Sequence, residues 1–448
     1  MFIQGTSRHE LSNYSDVFNK DKGVDYKMVY TLIKNGTLID GNGGQPIQDA
    51  AVLVKNNVIE KVGSLAEIAV PNEDVTEVDA QGGFILPGMI DTHVHLMMEI
   101  EAVEKQLTTP FSYRFYKAVK HMEKTLHAGV TTVRDAGGTD AGVKKAVEDG
   151  LIPGPRMQIS VNALTTTGGH GDKWMRSGID TTLHGYPGSP AGICDGVEEV
   201  TKKVREVLRA GADLIKVHAT GGVMSPTDHP EFTQFSQAEL EVIVQEAEYR
   251  KGLKVMAHAQ GEEGIQNAVK AGIHSIEHGI YISDETAELM IEHGTYLVPT
   301  LLAPISVLEA AESSDSMPSY GVQKAKEVVE AHKESIAKAY QKGVKIAMGT
   351  DAGVMAHGTN LRELGLMCEA GMSPMESIVA TTKTAAECMG WEDRIGTLEQ
   401  GKYADIIISK TDPLADIYSL EDNDNIVAVL KDGKVVKNQL DKVAAPSY

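Results

Sequence analysis

The sequence is poor in the residues and segments that mark several classes of protein. Among its 448 residues are three cysteines, Cys194, Cys368 and Cys388, and none form a CxxC pair, so neither a disulfide framework nor a cysteine zinc site is expected. No apolar run approaches the roughly 20 residues that a membrane helix needs. The polar first 27 residues contain no apolar core of a secretory signal. We therefore expect a cytoplasmic protein with no membrane partner.

Basic residues are also outnumbered. The chain carries 63 acidic and 42 basic residues, which gives a formal net charge of −21. This excess of negative charge repels nucleic-acid backbones, so no nucleic-acid partner is expected. Its simplest role is to keep the protein soluble.

Both ends of the chain are rich in short strands. After an N-terminal extension, residues 1–27, the segment 28–86 alternates β-branched runs with Asn-Gly and Asn-Asn turns. The segment 391–448 resembles it, with an Asp-Gly turn between two apolar runs. We predict that these two segments build one small β-sandwich domain, and that residues 87–390 are inserted between them.

The central segment alternates short apolar runs with amphipathic helical stretches. Continuous apolar runs are typical of strands that are covered on both faces. Ser236 with Glu239, and Ser373 with Glu376, form capping boxes that mark helix starts. Eight such βα units predict a TIM (β/α)8 barrel, and an open doubly wound α/β sheet is the alternative. The candidate strands are residues 84–91, 131–135, 157–164, 214–219, 254–259, 275–279, 295–301 and 344–351.

Polar side chains follow several of these candidate strands, where the active site of a barrel lies. His93 and His95 are two residues apart in DTHVHL, so in an extended chain both point to the same side. Imidazole is a good ligand for Zn²⁺, and a carboxylate adds an oxygen ligand. The sequence therefore predicts a site for one or two divalent metals. The other polar residues at the strand ends are Lys216, His218, His258, Glu277, His278 and Asp351.

Lys216 is unusual because it lies within an apolar strand. One interpretation is that it pairs with a carboxylate. The other is that burial lowers the pKa of its amine, which can then add CO₂ and form a carbamate whose two oxygens bridge two metals. The residues alone leave both open.

Five motifs in order along the chain resemble the amidohydrolase superfamily, in its binuclear-metal branch: GMIDTHVHL, DLIKVHATGG, MAHAQG, SIEHG and MGTDAG. The resemblance implies a TIM barrel with a small β-sandwich. It also implies two divalent ions, of which zinc is the simplest choice. The implied ligands are His93, His95 and Asp351 at one metal, His258 and His278 at the other, and a carboxylated Lys216 between them.

Further motifs resemble the imidazolonepropionase-like, Xaa-Pro-dipeptidase-type group: HAGVTTVRDAGG, TTTGGHGD, HATGGVMSPTD and EHGTYLVPTL. This implies a zinc-dependent amidohydrolase that cleaves a dipeptide or N-acyl amino acid. Hydrolysis of a cyclic amide, a lactone or a xenobiotic, toxin-like amide on the same site is the alternative. Relatives often carry Tyr-Ser where this chain has Phe235-Ser236, which bears on recognition of a substrate carboxylate. The group also implies a homo-oligomer.

Two residues are candidates for catalysis. We expect Asp351 to accept a proton from the attacking water and return it to the leaving amine. We expect His170, in TTTGGHGD, to donate a hydrogen bond to the scissile carbonyl oxygen. His218, Thr220 and Arg176 are candidates for substrate contact, although the first two are equally suited to orienting the metal ligands. A one-metal deaminase and a non-catalytic binding protein are disfavoured, because Lys216 and the other implied ligands are all present.

Overall fold

The structure is a computed structural model that describes residues 28–181, 186–313 and 317–440. The predicted extension, residues 1–27, and the end of the second predicted sandwich segment, residues 441–448, lie outside the described residues. In the described part, strands and helices alternate, and two of the sheets are parallel. The α/β class predicted from the sequence is confirmed.

The strands form where β-branched and aliphatic residues follow one another closely. In chain order, the strands of the described segments are β1 Tyr30–Leu38, β2 Ile47–Lys55, β3 Val58–Ser64, β4 Val75–Asp79, β5 Phe84–Pro87, β6 Met89–Val94, β7 Val130–Asp135, β8 Arg156–Ile159, β9 Ala163–Leu164, β10 Ile215–His218, β11 Val255–Ala259, β12 Ser275–His278, β13 Tyr296–Val298, β14 Ile406–Ser409, β15 Ile426–Lys431 and β16 Lys434–Asn438.

The two ends of the chain share one sheet of eight strands. Its order is β16-β15-β14-β5-β1-β2-β3, and β4 also pairs with β1. The joint between the two ends is the antiparallel pair β14 and β5, in which Ile407 lies opposite Leu86. Strands from the two ends of the chain therefore belong to one continuous sheet, joined by this pair.

The central segment forms two parallel sheets, with the orders β6-β7-β8 and β9-β10-β11-β12-β13. Strands β6, β7, β11 and β12 are buried along their whole length, as expected of parallel strands covered on both faces. Parallel pairing brings the carboxyl ends of neighbouring strands to one edge. His218 lies opposite His258, and Ala259 lies opposite His278, so three histidines meet at that edge.

Helices follow most of these strands. Both predicted capping boxes are confirmed, at Ser236 with Glu239 and at Ser373 with Glu376. Within the described ranges, no helix is both long and apolar enough to cross a membrane. The helices are α1 Val103–Thr108, α2 Tyr113–His127, α3 Ala141–Glu148, α4 Gly196–Arg209, α5 Gln237–Glu248, α6 Glu262–Lys270, α7 Asp284–His293, α8 Leu302–Ser313, α9 Ser319–Lys342, α10 Arg362–Glu369, α11 Pro374–Thr381 and α12 Lys383–Met389.

Three candidate strands differ in detail from the structure. The run 84–91 is divided at Gly88 into β5, in the sheet of the chain ends, and β6, in a parallel sheet. A Cβ at Gly88 would lie 2.1 Å from Oγ1 of Thr131. The run 157–164 is interrupted near Val161, whose φ of 65° is rare for a β-branched residue. Residues 344–351, all described, form no regular strand.

The segment 344–352 nevertheless bonds to strands on both of its sides. The amide of Ala347 donates to the carbonyl of Leu297, which lies in β13, over 2.9 Å. On the other side, the amide of Asp351 donates to the carbonyl of His93, which lies in β6, over 2.8 Å. The segment thus links the two parallel sheets and brings Asp351 next to His93.

Candidate metal centre

His93 and His95 converge on one oxygen of Asp351. Nε2 of His93 lies 3.5 Å, and Nε2 of His95 3.2 Å, from Oδ1 of Asp351. The two ring centroids are 5.5 Å apart. The spacing of two residues therefore places both imidazoles on the same side of the chain, as the sequence predicts.

Hydrogen bonds on the far side of each ring fix which nitrogen carries a proton. Nδ1 of His93 donates to Oε2 of Glu277 at 2.8 Å, and Nδ1 of His95 donates to the carbonyl of Gly137 at 2.9 Å. A carboxylate and a carbonyl can only accept, so in the neutral rings both Nε2 atoms carry lone pairs. These lone pairs face a carboxylate oxygen of Asp351, an arrangement that calls for a cation between them.

Two buried groups hold the carboxylate of Glu277 in place. Its Oε1 accepts hydrogen bonds from Nη2 of Arg134 at 3.0 Å and from Oγ of Ser275 at 2.6 Å. Burial alone raises the pKa of Glu277, but the charge of Arg134 and the bond from His93 outweigh it and lower the pKa to about 2. Glu277 is therefore a fixed carboxylate that orients His93.

His258 and His278 lie next to His93 and His95, and their ring centroids are 4.5 Å apart. We call these four histidines the histidine cluster. Nε2 of His258 donates to the carbonyl of Gly221 at 2.9 Å, which leaves a lone pair on Nδ1. Nδ1 of His278 is bonded to Oγ1 of Thr300 at 2.7 Å. Burial and neighbouring positive charges hold the pKa of both histidines well below the ordinary value, so both are neutral imidazoles, the form that binds metals.

The tightest group of potential ligands consists of His93, His278 and Asp351. Their ligand atoms all lie within 4.8 Å of one another. His278 and Asp351 adopt left-handed backbone conformations, with φ of 75° and 65°. Such conformations cost of order 1–3 kcal/mol in residues other than glycine and are concentrated at functional sites. His278 therefore belongs, with His93 and Asp351, to one compact group of potential ligands.

Lys216 lies against this group. Its Nζ is 3.5 Å from Nε2 of His93, and its side chain is almost fully buried. Burial lowers the pKa of Lys216 to about 8, although the carboxylates of Glu277 and Asp351 act in the opposite direction. The buried amine of Lys216 therefore lies close to the imidazole of His93 and near the carboxylates of Glu277 and Asp351.

The donor set fits a divalent metal. Neutral imidazoles and a carboxylate are the ligands that Zn²⁺ prefers when cysteine is absent. His218, next to the cluster, has a buried Nδ1 without a hydrogen-bond partner among the described residues. The ring of His218 lies 5.4 Å from that of His258. One buried nitrogen beside the cluster is thus left with unused bonding capacity.

The structure places His170 beside the cluster. Its ring stacks on His258 with a centroid distance of 4.2 Å and lies edge-on to His218 at 5.1 Å. Nδ1 of His170 is 3.0 Å from Oγ of Ser225 and 3.6 Å from Oδ2 of Asp228. His170 is therefore anchored on one side of its ring by a loop that follows β10.

Thr220 and Arg176 have different surroundings. The hydroxyl of Thr220 accepts a bond from the amide of Gln260 at 2.9 Å and donates to the carbonyl of Gly221 at 2.8 Å, so it braces the ends of β10 and β11. Arg176 is exposed. Within the described ranges, no hydrogen bond or ion pair joins Arg176 to the histidine cluster.

Several residues of this site were not given a role from the sequence. Glu277 is a strand-end carboxylate in SIEHG, and that position is the signal for its part beside His93. For Arg134, Asp228 and Lys324, the sequence carries no pattern that joins them to the site.

Comparison with known proteins identifies the family. The sequence model of the amidohydrolase family matches residues 84–436. The chain belongs to the amidohydrolase family. The resemblance predicted from its motifs is confirmed, and the family makes this protein a metal-binding hydrolase.

Three relatives show how far this amidohydrolase resembles characterised proteins. It is 36% identical over 423 residues to ochratoxinase from Aspergillus niger, and the match covers 91% of this chain and 86% of that enzyme. A solved Xaa-Pro dipeptidase with methionine bound in its active site is 35% identical, with a TM-score of 0.82 over 91% of this chain and all of that one. A prolidase complexed with N-methylphosphonate-L-proline is 33% identical, with a TM-score of 0.85 over 92% of this chain and all of that one. The Xaa-Pro-dipeptidase-type resemblance is thus confirmed.

Proposed function

We propose that the protein is a metal-dependent hydrolase that cleaves the amide bond of a small dipeptide or N-acyl amino acid. The observation that carries the proposal is the convergence of two imidazole lone pairs, from His93 and His95, on the carboxylate of Asp351. The similarity to a Xaa-Pro dipeptidase and to a prolidase supports a substrate with a free carboxylate.

A toxin-like amide is the second candidate substrate. The similarity to ochratoxinase favours it, since that relative matches most of this chain. Phe235, which stands where the resemblance implies a tyrosine, favours it further, because the phenyl ring offers no hydroxyl to a carboxylate. Phe235 is buried, so this change alters the interior of the loop after β10.

The scaffold would be a TIM barrel with a small β-sandwich. The bonds of residues 344–352 to β13 and to β6 support closure of the two parallel sheets into one barrel. The sheet shared by the chain ends supports the boundaries 28–86, 87–390 and 391–448. Homo-oligomeric assembly and a cytoplasmic location stay predictions.

The chain's own residues would hold two divalent ions. Such ions, most simply zinc, would lower the pKa of a water molecule and polarise the scissile carbonyl. Lys216 would form an N–C bond to CO₂ with loss of an amine proton, which gives it an anionic head with two oxygens. The ligands would be His93, His95 and Asp351 on one side, His258 and His278 on the other, and carboxylated Lys216 between them.

Asp351 would move the proton. Burial alone would raise the pKa of Asp351, but the neighbouring imidazoles outweigh it and hold the pKa below its ordinary range. Asp351 therefore carries a negative charge at neutral pH and can accept a proton from the attacking water. It would return that proton to the leaving amine.

His170 would contact the substrate carbonyl. Ser225 and Asp228 lie on the Nδ1 side of its ring, so Nε2 is the nitrogen left for the substrate; it would donate to a carbonyl oxygen from an imidazolium that the carboxylate of Asp228 stabilises. A donor aimed at the oxygen that gains charge stabilises the transition state. His218 lies next to His170 and would contact the substrate or orient the metal ligands. Thr220 would hold the backbone at Gly221 and Gln260 in place.

The experiment is a hydrolysis assay on a panel of dipeptides, N-acyl amino acids and aromatic toxin-like amides. The purified protein is tested with metal and after chelation, and Asp393→Asn, an exposed position, is the control for Asp351→Asn. Turnover that requires metal and Asp351 supports the proposal, and the preferred amide decides between the two substrate classes. Turnover that persists in the chelated protein or in Asp351→Asn would overturn it.

A further inference from the structure

Lys324 is a buried lysine in α9 that the proposed mechanism does not use. Its Nζ donates to three backbone carbonyls, those of Gly222 at 2.6 Å, Ser225 at 2.8 Å and Asp228 at 3.1 Å. The side chain is 8% exposed. An ammonium group has three donors, and here each has a carbonyl of the same loop. Lys324 therefore fixes the path of residues 222–228.

This loop contacts two histidines of the site. The carbonyl of Gly221 accepts the proton of Nε2 of His258, which turns Nδ1 of His258 towards the cluster. Gly222 lies so close to His170 that a Cβ at this position would be 2.3 Å from Cε1 of the ring. The backbone at residues 221–222 is thus a shared support for His258 and His170.

The side chains of the same loop also hold His170. Ser225 bonds to Nδ1 of His170, and Asp228 bonds to Ser225 and lies 3.6 Å from the same nitrogen. Asp228 is also fixed by the amide group of Gln234, at 3.1 Å. The charge of Lys324, 3.7 Å from Oδ1 of Asp228, faces this carboxylate.

We propose that Lys324 is a positioning residue that acts on the active site through residues 221–228. It holds the loop in the shape in which Gly221 orients His258 and Asp228 with Ser225 orient His170. The inference rests on the proposed function, since it assigns His170 to the substrate and His258 to a metal. Residues that orient ligands in this way typically contribute 10- to 100-fold to metal affinity or activity, about the size of effect expected here.

The test compares three variants of the full chain. Lys324→Met keeps the volume of the side chain but removes every donor, so three buried carbonyls lose their partner. Lys324→Arg restores donors and charge. Lys326→Met is the matched control, because Lys326 is exposed on the same helix. If Lys324→Met does not fold, Lys324→Gln, which retains two donors, takes its place.

The first readout does not depend on activity. In metal-free protein, we expect Lys324→Met to increase amide hydrogen exchange in peptides that cover residues 221–235, and to weaken zinc binding about 10-fold or more. Lys324→Arg should recover much of both, and Lys326→Met should resemble the unmodified protein. Unchanged exchange and unchanged zinc affinity in Lys324→Met would overturn the proposal, whether or not a substrate is known.

The second readout tests the route through His170. We expect Lys324→Met to lower kcat about 10- to 100-fold with little change in KM. In a His170→Ala background the same change should lower kcat much less, because the ring that the loop positions is already absent. Equal losses in both backgrounds, with zinc affinity unchanged, would reject the positioning role. Absence of turnover in the unmodified protein counts against the proposed function, and the exchange and zinc results still decide the role of Lys324.

Discussion

Glu277 accepts a hydrogen bond from Nδ1 of His93 over 2.8 Å, deep in the protein, and this contact decides the orientation of the first candidate ligand. With Nδ1 protonated, Nε2 of His93 faces Asp351 as a lone pair. Arg134 and Ser275 keep Glu277 in place. A residue outside the proposed ligand set thus determines the orientation of His93.

The first prediction concerns Glu277→Gln. A glutamine loses the charge that holds the proton on Nδ1 and can present its amide nitrogen to His93 instead. We expect zinc affinity to fall about 10- to 100-fold, measured by competition with a chelator of known affinity. Glu285→Gln, an exposed position on α7, is the control. An affinity equal to that of the unmodified protein would show that Glu277 does not orient His93.

The second prediction concerns Asp351→Asn. An amide cannot accept a proton at neutral pH, so kcat should fall about 100- to 10,000-fold, the range that general acid–base residues contribute. Circular dichroism and thermal unfolding should show that the fold is retained. Metal content is measured on the same sample, because loss of metal would point to a ligand role alone. Retained metal with nearly unchanged kcat would exclude proton transfer by Asp351.

The third prediction concerns the chemistry of Lys216. Native mass spectrometry of the metal-loaded protein in bicarbonate buffer should show the added mass of one CO₂ per chain. The added mass should be absent from Lys216→Arg, since a guanidinium does not form a stable carbamate. Lys216→Arg should also bind less zinc. If the unmodified protein shows no added mass while it binds metal fully, Lys216 acts as an amine or through an ion pair.

The fourth prediction concerns Glu363, a buried carboxyl that accepts bonds from the amides of Leu301 and Leu302 at 2.7 and 2.8 Å. Burial raises its pKa from 4.5 to about 8. The stability that this group contributes is therefore complete below pH 4.5 and is lost as the pH rises towards 8. The loss has an upper limit of about 1.4 kcal/mol for each pH unit.

Glu363→Gln has no such ionisation. The difference in thermal midpoint, variant minus unmodified protein, should therefore increase from about pH 5 to about pH 8. This range lies between the ordinary and the raised pKa of Glu363. Metal-free samples keep metal binding out of the comparison, and Glu285→Gln should show no trend. A difference that does not vary with pH would mean that Glu363 is ionised normally.

Local sequence patterns were sufficient for most of the fold. Apolar runs located the parallel strands, and the two capping boxes located the starts of α5 and α11. The pattern failed where a tertiary contact decides the outcome. The approach of Gly88 to Thr131 divides one apolar run, and residues 344–352 bond to strands on either side without forming a regular strand.

The candidate site was predictable where periodicity carries the information. The spacing of His93 and His95 is enough to place both rings on one side, and the register of parallel strands brings His218 level with His258. The supporting groups could not be found in this way. Lys324 lies on an outer helix and reaches residues 222–228 only through the packing of that helix, which leaves no periodic trace in the sequence.

The most direct measurement is the metal content per chain of protein that has been loaded with zinc and freed of excess metal, determined by mass spectrometry of the dissolved metal. We expect two ions per chain, with His258→Asn reduced towards one and with hydrolysis lost when both are chelated. One ion or none in fully loaded, folded protein would contradict the binuclear site and the bridging role of Lys216.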